Sequence, residues 1–548
     1  MALNIPGLIA VVIFYAIILA TGIWAAWKTK KEEKKGNRIE IAIVGGRNMN
    51  FIVILFTTAA TWVGGGYING TAEIVYLPTK GLGWVQAPLG FLSAFIIGGI
   101  FFVKPIRSKK YVTMMDPLQE TYGNTMGSIL FIPSLLGDIF WFAAILASLG
   151  VTVSVILGVA GYISIIISAC TIIVYTLLGG LYSVAYTDVI QLLFMMASLW
   201  ICVPFALLNS ATENIFHTAF NGSYQAPWIG KIETEYIGRW LDDFIYLSLN
   251  SIAWQIYFQR ILAASSTWQA RITSCMAGVL SAILAIPSIL IGAAAASTDW
   301  NQTSYSSPSP AERGESSMIL PLVLQYLCPT YVSVAGLGAI AAAVMSSADS
   351  SLLSASSMFA HNIYKKMLRK KARENEVLCV MRISMVAFGS VAAGLAFLSH
   401  SVYDLWFLSG ELVYALLFPQ LCCVLFIPNT NTYGSAASFL FGLILRLLGG
   451  ESTLKLPPVI HYPGCRLVDG VYVQLFPFKT FTMLVSLTMV VFVSYLTRFL
   501  FRKKIIPIGW DVCNIMEESK HHDLQPSSEE QMHLRPSSIN LSLVDVHT

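Results

Sequence analysis

Thirteen stretches of roughly 20 or more apolar residues, bounded by charges, proline or glycine, run through this chain. They span about 6–27, 49–76, 82–103, 125–157, 160–180, 188–208, 238–262, 272–297, 330–362, 377–399, 403–427, 433–449 and 477–501. A helix of that length crosses a bilayer core of about 30 Å. Charge is correspondingly scarce, at 12% against 55% hydrophobic residues, where soluble domains carry about 25%. A soluble enzyme is thereby excluded, and the expected fold is an all-α polytopic membrane protein of thirteen transmembrane helices. The nine cysteines show no CxxC pair or metal-ligand spacing and read as small hydrophobes.

Orientation follows from the basic residues. With 34 Lys+Arg against 30 Asp+Glu the balance is too even for nucleic acid to be a partner. With the N-terminus outside, segments 28–47, 104–110, 260–271, 365–382 and 498–535 lie inward and hold 26 of the 34 basic residues, as the positive-inside rule expects. The first span lacks a basic n-region and precedes Lys28, Lys30 and Lys31, so it reads as a helix and not a cleaved leader. The sequons at Asn221 and Asn301 fall in loops placed outside, and Asn301 is the expected glycan site.

The interior of the spans carries the chemistry. Gly64-Gly65-Gly66 follows Thr61-Trp62-Val63 in the second span; each mid-helix glycine costs about 1 kcal/mol against alanine, so a break is expected there. Unwound backbone at membrane depth lines a cavity or binds an ion, although close helix packing also favours glycine. Five spans later, Leu247-Ser248-Leu249-Asn250-Ser251-Ile252-Ala253-Trp254-Gln255 is a second interruption, polar and small with a tryptophan. Matching breaks five spans apart suggest a 5+5 inverted repeat with its site between them. Domains then read as 1–48 (first helix and basic cytosolic loop), 49–208 (first repeat), 209–237 (outer loop), 238–427 (second repeat), 428–505 (two further helices) and 506–548 (disordered cytosolic tail).

Trp62, Trp141 and Trp254 lie deep in their spans, with Phe91 on a neighbouring one, whereas Trp24, Trp27, Trp200, Trp240, Trp268 and Trp406 fit an interfacial belt. The ninth span reads Met345-Ser346-Ser347-Ala348-Asp349-Ser350-Ser351, a hard-oxygen surface suited to sodium. An intramembrane Asp349 is a functional candidate by default; Ser354, Ser356 and Ser357 are expected to bond back to their own helix.

Residues Gly179-Gly180-Leu181-Tyr182-Ser183-Val184-Ala185-Tyr186-Thr187-Asp188-Val189-Ile190-Gln191 resemble the signature loop of the sodium/solute symporters. The Thr61–Glu73, Trp254–Arg260, Met345–Ser351 and Ala296–Thr303 stretches are similar to the choline-carrying branch of that family. The resemblance implies a LeuT-like fold, no enzymatic activity, and sodium-coupled, chloride-dependent choline uptake that supplies acetylcholine synthesis. It implies sodium ligation by the carbonyls of Ala60, Val63 and Ala343 and the hydroxyls of Ser346 and Ser347, with Asp349 at a second sodium. It also implies an aromatic cage of Trp62, Trp141 and Trp254, in which Phe91 stands where a tyrosine is expected. No residue identifies a chloride site. Membrane lipid surrounds the protein, and homo-oligomer formation is left open. The implied location is the plasma membrane, at presynaptic terminals and on synaptic vesicles. A symporter for another small solute, such as an amino acid or organic anion, is the alternative within the family; a receptor or channel is the alternative outside it. The three deep tryptophans disfavour an anion, and neither a pore ring nor a ligand domain is visible.

Overall fold

The computed structural model describes residues 5–33, 37–157, 161–177, 180–398, 402–451, 456–468, 470–513 and 515. Most of it is helix. The elements that position the site are α1 (Ile5–Glu33), α2 (Phe51–Trp62), α3 (Gly65–Tyr76), α4 (Ala87–Ile97), α5 (Met115–Leu157), α6 (Gly161–Thr176) and α7 (Leu181–Leu207). There follow α8 (Ile237–Asn250), α9 (Gln255–Ala263), α10 (Thr267–Ala296), α11 (Thr330–Met358), α12 (Glu374–Leu398), α13 (Val402–Leu412), α14 (Thr432–Leu448) and α15 (Phe478–Arg502). Short polar side chains start several of them: Asn50 accepts from the Ile52 amide at 2.9 Å, and Ser266 from the Gln269 amide at 3.1 Å. Each satisfies a donor that a helix N-terminus leaves unpaired.

Every expected span falls on helical backbone. Among the described residues eight helices are long and apolar enough to cross a membrane, or nine when the bent pair α2/α3 is taken as one. Those lengths bear out a polytopic helical protein; they do not reach the expected thirteen, because the described apolar stretch of α1 (Val12–Ala25), α6 and α14 are short and the 238–262 span is split. The fourth span begins ten residues early: α5 starts at Met115 and turns at Gly123, where φ is +80°. Three helices pass through π turns, at Gly98–Phe102, Phe359–Leu368 and Val413–Leu417. The last carries α13 on to Phe426. An antiparallel hairpin, Arg466–Val468 with Val471–Val473, lies in the loop before α15. The expected disordered tail lies almost wholly outside the described residues.

Candidate substrate and ion site

The first break is built by backbone. Helix α2 ends at Trp62; Val63 (φ −87°, ψ 63°) and Gly64 (φ −97°, ψ −167°) leave helical geometry, and α3 departs at 52°. Both expectations for the glycines hold together. A methyl at Gly64 would overlap the Ser347 side chain; at Gly65 it would stand 2.5 Å from Ser148 Oγ and 2.7 Å from Val344 Cγ2; at Gly66, 3.2 Å from Trp406 Cγ. The chain unwinds here, and it does so pressed against α5, α11 and α13. The second break uses a single 3₁₀ turn, Ser251–Ala253, followed by Trp254 in extended conformation (φ −111°, ψ 139°).

Aromatic rings gather between the breaks. Ring centroids of Trp62 lie 5.0 Å from Trp141, 5.3 Å from Phe91 and 6.3 Å from Trp254, and Trp141 lies 4.9 Å from Trp254. Three of these four pairs meet at 70–87°. The rings thus form adjoining walls and not a flat stack. Behind Phe91, Tyr67 stacks at 5.5 Å, its hydroxyl donating to the Ser281 carbonyl. Trp406 corrects the belt expectation: it is buried, 6.1 Å from Phe91, and completes the cluster as a fifth ring. Its place near the start of α13 hid this, because α3 and α4 cover the helix there. Trp24, Trp27, Trp200 and Trp268 are exposed, as a lipid belt requires.

Oxygen atoms line the other side of the first break. The Val63 amide donates to the Ala59 carbonyl at 3.0 Å, so the carbonyls from Ala60 onward belong to the open end of α2. Ser347 Oγ is buried, faces Gly64 and has no hydrogen-bond partner among the described residues. Ala60, Val63 and Ala343 are buried around it. An orphan hydroxyl beside freed carbonyls suits a small hard cation. Ser346, one residue along, turns to α7 and donates to Asp188 Oδ1 at 2.5 Å, which leaves its lone pairs free to accept. Asp349 is fully buried on the same helix.

Asp188 and Arg260 had been given no role in sequence. Arg260 had been counted as a loop charge; it is instead the largest fully buried side chain, and its charge carries no topological information. Its Nη2 donates to Ser350 Oγ at 2.5 Å and to Thr61 Oγ1 at 2.8 Å, and lies 3.5 Å from Asp188 Oδ2, which also accepts from Thr57. Four elements, α2, α7, α9 and α11, meet at this one buried pair. Ser356 and Ser357 bond back to their own helix as expected, but Ser354 donates to Asp138 Oδ2 at 2.9 Å.

A cavity of about 1500 Å³ opens at the end of the bundle that bears Lys80, Phe220, Lys231 and Gly470, and it stops at Phe407 and Leu408. None of Trp62, Phe91, Trp141 and Trp254 lines it. At the opposite end the elements are tied together: Arg107 donates to the Ile261 and Ala264 carbonyls, and the Met49 amide to the Ala263 carbonyl.

A broken-helix pair, a buried ring cluster and an oxygen-lined break are the parts of an ion-coupled carrier. The family model described as the sodium:solute symporter family matches residues 43–442. This chain belongs to that family. The symporter is 54% identical over 513 residues to the human high affinity choline transporter 1, covering 93% of this chain and 88% of the relative. It is 45% identical to the Drosophila melanogaster high-affinity choline transporter 1, covering 97% and 85%. Among solved structures, a Na⁺-coupled sialic acid symporter in a substrate-bound outward-open state superposes with a TM-score of 0.71 at 17% identity, over 90% of this chain and 97% of that one. The shared fold is that of sodium symporters.

Proposed function

We propose that this symporter carries choline into the cell, driven by sodium. The observation that supports this best is the cluster of Trp62, Phe91, Trp141, Trp254 and Trp406 at the two helix breaks. A trimethylammonium has no N–H to donate, so ring faces are its favoured partners, at about 2 kcal/mol or more when desolvated. A sugar would need polar side chains there. Phe91 keeps the ring of the expected tyrosine without its hydroxyl. The rings are in mutual contact, so the headgroup enters by parting them and the site closes by their return.

Sodium is assigned to the carbonyls of Ala60, Val63 and Ala343 with Ser346 and Ser347, and a second ion to the surroundings of Asp349. The bound ion would hold α2 against α11 and so fix the position of Trp62. Inward transport of each positive charge gains about 2.3 kcal/mol per 100 mV, to which sodium coupling adds. Chloride dependence, supply of acetylcholine synthesis, residence in the plasma membrane of presynaptic terminals and in vesicles, an extracellular N-terminus, a cytosolic C-terminus and a glycan on Asn301 complete the reading, with domain limits as given above. Labelled choline uptake into vesicles tests it: uptake should follow an inward sodium gradient. Uptake indifferent to replacing sodium with potassium would overturn the proposal.

A further inference from the structure

The cavity described above ends on a second cluster of buried charges, and one residue joins its parts. Lys479 sits in the first turn of α15, beyond the residues matched by the family model. Its ammonium lies 2.9 Å from Asp243 Oδ1 on α8 and 2.6 Å from Glu411 Oε1 on α13. It also sits over two rings, 5.3 Å from the centroid of Tyr246 on α8 and 5.1 Å from that of Phe407 on α13. The backbone of the same turn is fixed to α8, since Asp242 accepts from the Lys479 amide at 3.0 Å and the Thr480 amide at 2.7 Å. Glu411 is held from its other side by Arg446 of α14, which also pairs with Glu451.

The two helices so joined bracket the ring cluster. Helix α8 runs directly into the break that presents Trp254, and α13 carries Trp406 against Gly66 and Phe91. Phe407 and Leu408 line the cavity, and Phe407 meets Trp406 of the ring cluster with centroids 5.4 Å apart, while none of the cluster rings lines the cavity. Any path from cavity to cage therefore requires α13 to move away from α8. Apart from Lys479, a direct tie near the cavity floor is the Tyr246 hydroxyl donating to the Phe407 carbonyl at 2.8 Å.

We propose that Lys479 is the latch of the gate between this cavity and the ring cluster, a positioning residue whose shared ammonium holds α13 against α8. Parting the helices obliges the ammonium to give up Asp243 or Glu411 and one of its two ring faces. Closing restores both. Without the ammonium, Asp243 loses its cation, Glu411 keeps only Arg446 of α14, and the ionic bridge between α8 and α13 is lost. Removing the cation thus favours the open gate, whereas a role in filling space would only loosen the fold.

The test reads the gate without relying on choline as the substrate. Ser409→Cys, buried one residue beyond the cavity floor and not part of its lining, is placed in the full-length chain, reconstituted in vesicles and labelled with a membrane-impermeant methanethiosulfonate, and the chain without that substitution supplies the background. Lys479→Met should accelerate labelling by about fivefold or more in sodium, and Lys479→Arg should restore the slow rate. Asp243→Asn, which removes one of the two acids but keeps the lysine, should give a smaller increase and serves if Lys479→Met fails to reach the membrane. Equal labelling rates in the parent and in whichever of Lys479→Met and Asp243→Asn is membrane-inserted would overturn the latch. Choline uptake by the parent is measured alongside, so failure of the choline reading leaves the labelling result standing by itself.

Discussion

The two helix breaks face the same ring cluster but are made in different ways. At Val63–Gly64 the chain opens by dispensing with side chains, and α5, α11 and α13 close onto bare backbone. At Ser251–Trp254 no glycine is present; a 3₁₀ turn tightens the helix, Ser251 Oγ donates to Asn250 Oδ1 at 2.8 Å, and an extended residue aims an indole inward. Gln255, next in line, accepts the Met114 amide at 2.6 Å. One break thus offers carbonyls and the other offers side chains. In the proposed carrier the first surface would hold the metal ion and the second the apolar cation.

Substitution at the glycines should break this contrast most severely. Gly64→Ala places a methyl into Ser347, an overpacking of about 1–3 kcal/mol at a point with no room to yield, and uptake should fall below about a tenth of the parent level. A change of similar size at the other break, Ser251→Ala, should keep most of it. Uptake normalised to surface protein checks the pair, and near-normal transport by Gly64→Ala would end the backbone account of the first break.

A smaller effect is expected from the orphan hydroxyl. Ser347→Ala should raise the sodium concentration for half-maximal uptake by about tenfold, the scale of one hydrogen-bonding group lost to a charge, and the apparent choline KM should rise with it because the two ligands are linked. Ser346→Ala should do less if its bond to Asp188 is its principal contact. Sodium titrations of uptake for both variants distinguish them; identical curves would merge the two serines into one role.

At the side-chain break the ring electrons are the variable. Progressive fluorination of the indoles at Trp62 and Trp254 leaves shape nearly unchanged and should weaken choline binding stepwise, to about tenfold across the series. Flat affinity at both positions would reduce the rings to core filling. The smallest effect belongs outside both breaks: Asn301 is exposed in its loop, and Asn301→Gln should remove a glycosidase-sensitive gel shift without altering uptake. A shift that survives replacement of both Asn301 and Asn221 would place that loop on the other side of the membrane.

Much of this arrangement was legible in the residues. The glycine run announced the first break, Asn250 and Ser251 the second, and the serine-rich ninth span the oxygen surface, because each violates the composition that lipid demands of a helix. The charged contacts were not legible. Arg260 lies at the end of an apolar window, where a hydropathy reading assigns any arginine to a loop, and only the meeting of α2, α7, α9 and α11 shows it buried with Asp188. Trp406 was misplaced for the same reason. Distance from the end of a span stands for depth only when neighbouring helices leave that end uncovered, and Trp406 packs against Gly66 of α3 and Phe91 of α4.

The closeness of Trp62, Trp141 and Trp254, with centroids 4.9–6.3 Å apart, has an optical consequence. Indoles this near one another share their electronic excitation, and the sign and strength of the resulting near-ultraviolet circular dichroism depend on the angles between them. Parting the rings to admit a ligand would alter that signal without any attached dye. The protein therefore carries its own spectroscopic gauge of whether the cluster is closed, one that can be followed in time as sodium and choline are added separately.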